Sequence, residues 1–198
     1  MASLASDRAL ERPEALSEAE PEAATGVAEA ESPVGSDRRL LAVVAVGALV
    51  AWGIDQATKI WAVARLDGHD PISVIPGLLS LRFLRNPGAA FGMGASMTAV
   101  LTLVAVGVVV AVVRLAPRLH DRVWAVALGL LLAGATGNLT DRLLRDPGPL
   151  RGHVVDFIDY NGWFVGNVAD VYLTVAAGLI LWRSWQNVGL DGKRAGDE

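Results

Sequence analysis

The chain of 198 residues has no cysteine and only three histidines. The absence of cysteine excludes disulfides, thiolate metal sites and a cysteine nucleophile. His69, His120 and His153 are dispersed and lack the spacing of metal ligands, so we expect no metal and no cofactor. No phosphate-binding loop, dinucleotide fingerprint or basic and aromatic patch is present, so no nucleic-acid partner is expected.

Charged residues are scarce and unevenly distributed. They make up 19% of the chain, whereas 53% of its residues are apolar, which is unusual for a soluble domain. Residues 92–113 and 123–140 carry no charge at all. Because a helix of about 20 apolar residues crosses the hydrocarbon core of a bilayer, these segments are predicted membrane spans. The alternative, buried helices of a soluble protein, is disfavoured because a chain of this length could not cover them on all sides.

The first 37 residues have few large apolar side chains and consist mainly of Ala, Glu, Pro and Ser. Such a segment cannot bury enough surface to offset its ordering entropy, so residues 1–37 are predicted to be a disordered acidic cytoplasmic tail. It is too acidic for a transit peptide and lacks the apolar core of a cleavable signal peptide. The formal net charge of −4 comes mainly from this tail and says little about partners.

The remaining pattern predicts an all-α integral membrane protein with four transmembrane helices and a small surface β-element. The membrane domain is expected over 38–186, followed by a short cytoplasmic tail over 187–198. Its predicted spans are 40–66, 94–115, 123–139 and 167–185. Residues 78–84 alternate like a strand, and a second polar loop is expected over 141–162. No internal repeat is visible, which argues against a transporter built from inverted halves.

Four spans place both termini on one side of the membrane. The flanks on that side carry more Arg and Lys than the opposite loops, which predicts cytoplasmic termini. On this topology a set of polar residues converges toward the outer face: Asp55, Asn86, Asn138, Asp141, Asp156 and Asp170. This convergence points to a site at that face.

Asp170 is the one charged residue between positions 160 and 182. A carboxylate inside a spanning segment costs about 2.5–3.5 kcal/mol on insertion scales, so it is a functional candidate, with helix packing as the alternative. Asn167, one helical turn earlier, could orient it. Two neighbouring carboxyl groups cannot both ionise. Together they therefore hold one shared proton. Such a pair could activate water with one member and polarise a carbonyl with the other.

Three aspartates could partner Asp170. Asp156 lies in the apolar run 153–158, which makes its surroundings the most apolar of the three. Asp141 is followed by Arg142, which indicates an ion-paired structural role. Asp159 precedes a predicted turn and is expected to be solvated. The residues alone favour Asp156 over Asp141 and leave the choice open.

Several polar residues are candidates for supporting roles. Asp55 and Lys59 stand at positions i and i+4, the spacing of a helical ion pair that braces the site or meets a lipid headgroup. Asn138 and Arg142 could bind a phosphate or a peptide carbonyl. Residues 86–91 are predicted to form a turn in which the amide of Asn86 could hold a substrate backbone.

Five blocks occur in a fixed order between positions 40 and 185: Asp55-Gln56-x-x-Lys59, Asn86-x-Gly88-Ala89-Ala90-Phe91, Gly134-Ala-x-Gly137-Asn138-x-x-Asp141-Arg142, Gly152-His-Val-Val-Asp156-Phe-Ile158 and Asn167-x-Ala169-Asp170. Together they resemble the bacterial lipoprotein signal peptidases (signal peptidase II). The chain departs from that family at Gly166, where a Phe is usual, and in a long loop between Arg142 and Asp156.

The resemblance implies a four-span aspartic endopeptidase of the bacterial cytoplasmic (inner) membrane with a small extracytoplasmic β-cradle. It would act on diacylglyceryl-modified prolipoproteins within the membrane lipid and cut just before the lipidated cysteine. Asp156 and Asp170 are implied to be the catalytic pair. The implied supporting or substrate-binding residues are Asp55, Lys59, Asn86, Gly88, Asn138, Asp141, Arg142 and Asn167.

Two other functions fit a small polytopic chain with membrane carboxylates. One is a proton-coupled channel or carrier, in which the acids would form a relay. The other is a non-enzymatic membrane assembly factor. A relay favours acids distributed through the bilayer depth. The acids of this chain are instead predicted to cluster at one face, which favours the peptidase.

Overall fold

The structure, a computed structural model, describes residues 38–88 and 95–196. The predicted acidic tail 1–37 and residues 89–91 of the predicted turn lie outside the described residues. The elements in chain order are α1 Arg38–Leu66, β1 Ile72–Ile75, β2 Leu79–Asn86, α2 Ala95–Leu115, a 3₁₀ helix Ala116–Arg118, α3 Arg122–Leu144, β3 Val154–Asp159, β4 Val165–Gly166 and α4 Val168–Trp185.

Within the described ranges, three helical segments are long and apolar enough to cross a membrane. They are Arg38–Leu66, Thr98–Arg118 and Arg122–Leu144. The helix α4 has 18 residues, with Asp170 in its first turn and Arg183 in its last, and is not one of the three. The predicted membrane fold with apolar helices and a small sheet is thus present, with α4 shorter than the other three helices.

The helix α3 is the centre of the bundle, since it packs against α1, α2 and α4. Small residues on α3 permit this close approach, as is common between membrane helices. A Cβ atom on Gly134 would lie 2.7 Å from the carbonyl oxygen of Ala169 in α4, and one on Gly137 would lie 2.6 Å from Asp55 Oδ2 in α1. These two glycines therefore bring the backbone of α4 and the carboxylate of α1 to the same place.

Apolar clusters fix the two ends of the bundle. At one end Leu40 and Val44 of α1 pack with Leu128 of α3 and Leu119 of the preceding connection. At the other end the cluster contains Ala62 and Leu66 of α1 together with Val155 and Phe157 of β3. The second cluster attaches the sheet to the helices.

The four strands form one antiparallel sheet in the order β1-β2-β3-β4. In the β2–β3 ladder Leu84 lies opposite Asp156 and Asn86 lies opposite Val154. The predicted strand over 78–84 is confirmed, because β2 covers Leu79–Asn86. The predicted polar loop over 141–162 is wrong, because α3 continues to Leu144 and β3 occupies Val154–Asp159.

The uncharged stretch 160–182 is not one continuous span. Asn161 and Gly162 have φ angles of 55° and 78° and form the turn between β3 and β4. Asn167 then caps α4: its Oδ1 accepts the backbone N–H of Asp170 at 3.1 Å, and Asp170 Oδ2 accepts the N–H of Asn167 at 3.1 Å. This reciprocal capping begins the helix. Asp170 thus lies in the first turn of α4, whose bounds agree with the helix predicted over 167–185.

Residues 187–196, within the predicted cytoplasmic tail, fold back onto the α2–α3 connection. Val188 pairs with Arg194 in an antiparallel bridge, and the carbonyl of Val188 accepts the indole N–H of Trp124 at 3.0 Å. The backbone N–H groups of His120 and Asp121 donate to the carbonyl of Leu190. The end of α4 is thus tied to the start of α3.

Candidate active site

Asp156 is buried in the middle of β3, between two side-chain amides. Its Oδ2 accepts Nδ2 of Asn86 at 2.8 Å, and its Oδ1 accepts Nδ2 of Asn167 at 2.6 Å. Burial is the main cause that raises the pKa of Asp156 to about 7; the hydrogen bond from Asn86 lowers this pKa and the charge of Asp170 raises it. The carboxyl group therefore holds a proton to unusually high pH.

The orientation of the Asn86 amide is fixed by the following turn. Its Oδ1 accepts the backbone N–H of Gly88 at 2.8 Å, which leaves Nδ2 to donate to Asp156. Gly88 has a φ of 96°, a conformation that favours glycine. Gly88 thus acts on the site through Asn86, a role that sequence reasoning did not resolve.

Asp170 is held by the N-terminus of α4 and by α3. Its Oδ1 accepts Nδ2 of Asn138 at 2.9 Å, and its Oδ2 accepts the capping N–H of Asn167. A helix N-terminus is a favourable place for a negative charge. Asp170 is half-buried, so one side of the carboxylate remains accessible.

Asn167 and Asn138 connect the two carboxyl groups. Nδ2 of Asn167 donates to Asp156 and also to Oδ1 of Asn138 at 3.2 Å, while Asn138 donates to Asp170. Asp156 and Asp170 line the same cavity of about 280 Å³. Its other lining residues are Asn86, Leu101, Val104, Ala105, Val108, Ala135, Asn138, Arg142, Val154, Phe164 and Leu173. The structure thus brings together the two aspartates and the three asparagines that the sequence predicted.

Lys59 is fully buried beneath these residues. Its ammonium group lies 3.0 Å from Asp55 Oδ2, 2.9 Å from Asp141 Oδ2 and 3.0 Å from Asn138 Oδ1. These acceptors use all of its three donors. The predicted ion pair between Asp55 and Lys59 is confirmed, and it is part of a larger network that also contains Asp141.

The two aspartates around Lys59 each hold the backbone beside one of the site carboxylates. Asp55 Oδ1 accepts the N–H of Ala169, the residue before Asp170, at 2.9 Å. Asp141 Oδ2 accepts the N–H of Val155, the residue before Asp156, at 3.2 Å. Lys59 thus connects the backbone of α4 with that of β3, and its network fixes their separation.

Arg142 does not form an ion pair with Asp141. The prediction that the two pair because they are adjacent in sequence was wrong. Neighbouring residues on a helix point in different directions. Asp141 pairs instead with Lys59 and with Arg145, whose Nε lies 2.6 Å away. Arg142 is buried and donates to the carbonyl of Asn138 at 3.3 Å, and its Nε has no hydrogen-bond partner in the described part of the chain. Since Arg142 lines the cavity, it can donate to a bound molecule.

Asp159, the third candidate partner of Asp170, has a structural role. It is buried rather than solvated as expected, because its Oδ2 accepts Nε of Arg82 at 3.1 Å and its Oδ1 accepts the N–H of Gly162 at 2.7 Å. Asp159 therefore stabilises the β3–β4 turn and does not meet Asp170. Within residues 38–88 and 95–196, no group of three or more His, Cys, Asp or Glu side chains is placed to hold a metal ion.

Gly166 occupies a space that no side chain could share with its neighbours. A Cβ atom there would lie 2.6 Å from Cε1 of Phe164 and 2.9 Å from Oδ2 of Asp170. Phe164 thus places its ring next to the position where the resemblance led us to expect a Phe. Although position 166 is a glycine, an aromatic ring still lies near Asp170, and Phe164 supplies it.

Comparisons with known proteins identify the family of this chain. Residues 47–186 match the family described as Signal peptidase (SPase) II. The lipoprotein signal peptidase of Rhodococcus jostii (strain RHA1) is 48% identical over 84% of this chain and 83% of its own length. That of Streptomyces griseus subsp. griseus is 44% identical over 78% of this chain and 79% of its own length.

Solved structures are similar as well. A bacterial membrane enzyme determined by the in meso method at 1.9 Å resolution is 30% identical to this chain, with a TM-score of 0.62. The match covers 73% of this chain and 93% of that one. The family match extends over most of the bundle and over the sheet that hold the two carboxylates. The chain belongs to the signal peptidase II family, a family of bacterial membrane peptidases.

Proposed function

We propose that this chain removes the signal peptide from diacylglyceryl-modified prolipoproteins, cutting just before the lipidated cysteine, with Asp156 and Asp170 as its catalytic residues. The observation that carries the proposal is that these two carboxyl groups line one cavity and are joined through Asn138 and Asn167. The names of the relatives supply the substrate class.

The balance of charge supports one shared proton. Carboxylates in the site outnumber cations by one, with Asp55, Asp141, Asp156 and Asp170 against Lys59, Arg142 and Arg145. Buried charge is costly unless it is neutralised. A single proton makes the site neutral, and Asp156, whose pKa is about 7, is the group to hold it.

In the proposed reaction the two carboxyl groups have different tasks. Ionised Asp170 takes a proton from a water molecule, whose oxygen attacks the carbonyl carbon of the scissile peptide bond. Protonated Asp156 donates to the carbonyl oxygen and stabilises the tetrahedral intermediate. When the carbon–nitrogen bond breaks, the proton on Asp170 passes to the leaving amine of the lipidated cysteine. As that bond breaks, one hydroxyl of the tetrahedral intermediate returns its proton to Asp156 and the carbonyl re-forms, so both aspartates end as they began.

The surrounding polar residues divide into two proposed roles. Arg142 and the amides of Asn86, Asn138 and Asn167 hold the substrate backbone and orient the carboxylates. Arg142 is suited to this because its buried Nε is left without an acceptor, and a peptide carbonyl would supply one. The network of Lys59 with Asp55 and Asp141 acts at a distance from the substrate, by holding the backbone of β3 and α4.

We also propose that α4 is a fourth span and that both termini are cytoplasmic. The helix α4 packs along α3 and α1 and ends near Trp182 and Trp185, residues of the kind that anchor helices at membrane interfaces. The sheet would then form a cradle on the outer surface, in the bacterial cytoplasmic membrane. Diacylglyceryl chains would lie between the spans while the peptide reaches the cavity beside the sheet.

The test is cleavage of a synthetic diacylglyceryl-modified peptide by the purified protein. Asp156→Asn and Asp170→Asn are each expected to lower kcat by about 10²–10⁴-fold, the usual contribution of a general acid or base. Asp67→Asn is the matched control, because Asp67 is an exposed carboxylate that pairs with Arg85 at 3.4 Å. Wild-type rates in either dyad variant would refute the assigned chemistry.

A further inference from the structure

Two cavities meet at Asp170. The cavity of about 280 Å³ lies between α2, α3 and the sheet, and a second of about 380 Å³ lies along α4 and the β3–β4 turn. Of the described residues, Phe164 and Asp170 line both. Phe164 therefore forms the wall between the cavities at the point where we place the chemistry.

Gly166 allows the ring of Phe164 to lie this close to Asp170. The nearest atoms to a Cβ on Gly166 are Cε1 of the ring, at 2.6 Å, and Oδ2 of Asp170, at 2.9 Å. Both distances are shorter than a Cβ atom tolerates. Ring and carboxylate therefore share the volume that a side chain at position 166 would need.

The ring is supported from one side and open on the other. The carbonyl of Phe164 accepts the N–H of Tyr160 at 2.8 Å, which fixes the backbone. The two rings stack with their centroids 6.1 Å apart and an interplanar angle of 25°. Phe164 nevertheless remains 54% exposed, so its free face is available to a bound molecule.

We propose that Phe164 is the residue that determines which side chain is accepted immediately before the cleaved bond. This proposal rests on the proposed function. Because Asp170 acts at one peptide bond, the chain segments on its two sides must leave that carboxylate in different directions. The ring lines both cavities beside that carboxylate, so in this proposal one segment passes on each side of it. It leaves room for a small side chain before the lipidated cysteine and collides with a large one.

The test compares lipidated peptides that differ only in the residue before the cysteine, which is Gly, Ala, Leu or Phe. The measured quantity is the ratio of kcat/KM for the Leu peptide to that for the Gly peptide. Phe164→Ala is expected to raise this ratio by about 10-fold or more, the discrimination that even one methylene provides in a fitted pocket. Phe164→Leu is expected to raise it less, and Phe164→Trp to lower it.

Trp163→Ala is the matched control. Trp163 lies in the same turn, is 91% exposed and lines neither cavity, so its removal is expected to leave the ratio unchanged. Size-exclusion chromatography reports whether each variant is folded, and Phe164→Leu replaces Phe164→Ala if the latter aggregates. A ratio that stays within about twofold of wild type in the folded Phe164 variant overturns the proposal.

Gly166→Ala supplies a second, independent measurement. Alone it is expected to lower kcat for every peptide, since its Cβ displaces the ring or Asp170. In the Phe164→Ala background its effect is expected to be smaller, because one of the two colliding groups is gone. If the effects of Gly166→Ala and Phe164→Ala on kcat were additive, the ring of Phe164 would not compete with a side chain at position 166 for the same space. If the wild type cleaved no lipidated peptide, the proposed function itself would fail; normal cleavage with an unaltered ratio overturns the role of Phe164 alone.

Discussion

At the scale of single residues, the pH dependence of the reaction should follow Asp156. Burial raises its pKa to about 7, and the proposed chemistry needs its protonated form. Below that pH the proton is present, so kcat/KM is expected to fall as the pH rises through about 7, by about tenfold per unit beyond it. The pH–rate profile with a lipidated peptide measures this. A kcat/KM that stays constant up to pH 9 would contradict the assignment of the shared proton to Asp156.

Asn86→Ala should shift the pH at which kcat/KM falls. The hydrogen bond from Asn86 stabilises the ionised form of Asp156 and so lowers its pKa. Its removal raises the pKa, and the fall in kcat/KM is expected at higher pH, together with a lower maximal rate. Other charges that act on Asp156, those of Asp170 and Lys59, are unchanged in this variant. A shift to lower pH would show that Asn86 does not act through Asp156.

Lys59 is expected to contribute strongly to the stability of the bundle, because it is the buried cation that neutralises Asp55. Lys59→Met would leave Asp55 buried without a cation, although Asp141 would retain Arg145. Breaking a buried ion pair in this way costs about 3–5 kcal/mol. Thermal unfolding in detergent should show Lys59→Met to be much less stable than the exposed control Lys193→Met. Adding Asp55→Asn should recover part of the loss; no recovery would refute the pairing.

Local spacing revealed some of the residue contacts and missed others. The i, i+4 spacing of Asp55 and Lys59 predicted their ion pair, because both partners lie on one helix. The same spacing relates Asp141 to Arg145, yet the neighbouring Arg142 was favoured and the pairing was wrong. Asp141 also meets Lys59, which is distant in sequence. Contacts of that kind depend on how the helices assemble and leave no local signal.

At the scale of elements, the uncharged runs predicted the helices well and failed where charge is buried. The third helix was expected to end at position 139, yet α3 continues through Asp141 because Lys59 on α1 neutralises that carboxylate. The strand β3 was missed because most of it is buried, so its sequence lacks the alternation of a half-buried strand. The start of α4 was predicted at position 167, which is its N-cap, although the capping role of Asn167 was not anticipated from the sequence.

The close contact between α3 and α4 gives a prediction about elements. Gly134→Ala would place a Cβ 2.7 Å from the carbonyl of Ala169, whereas Gly129→Ala on the same helix would meet nothing nearer than 3.6 Å. Overpacking of the first kind costs about 1–3 kcal/mol, so Gly134→Ala should lower the unfolding temperature while Gly129→Ala has little effect. Because Ala169 precedes Asp170, peptide cleavage should fall as well. Equal stability of the two variants would contradict the packing.

At the scale of the whole molecule, the site exists only where three parts of the fold meet. The β2–β3 ladder places Asn86 beside Asp156, α4 presents Asp170 at its first turn, and α3 supplies Asn138 between them. Family resemblance identified these residues in advance, since the blocks that carry it are the segments that converge. Physical reasoning from the sequence left Asp156 and Asp141 as alternatives. Both are buried, and only their partners distinguish them: Asp141 lies among cations, and Asp156 lies among amides.

The proposed topology can be tested with the whole chain because it has no native cysteine. Trp163→Cys places a single thiol in the exposed β3–β4 turn before α4, and Ala195→Cys places one in the exposed segment after it. If α4 crosses the membrane and the termini are cytoplasmic, a membrane-impermeant maleimide should label only the thiol at position 163 in spheroplasts. Inverted vesicles should give the opposite result.

Controls make this labelling decisive. Detergent-solubilised protein should be labelled at both positions, which establishes that each thiol is reactive, and the unsubstituted chain should take up no label. Both variants should cleave the lipidated peptide, since neither position lines the cavity that contains Asp156 and Asp170. Labelling of both thiols from the same side would mean that α4 does not span the bilayer. In that case Asp170 would reach the site from a helix lying against the membrane, and the four-span topology would be wrong.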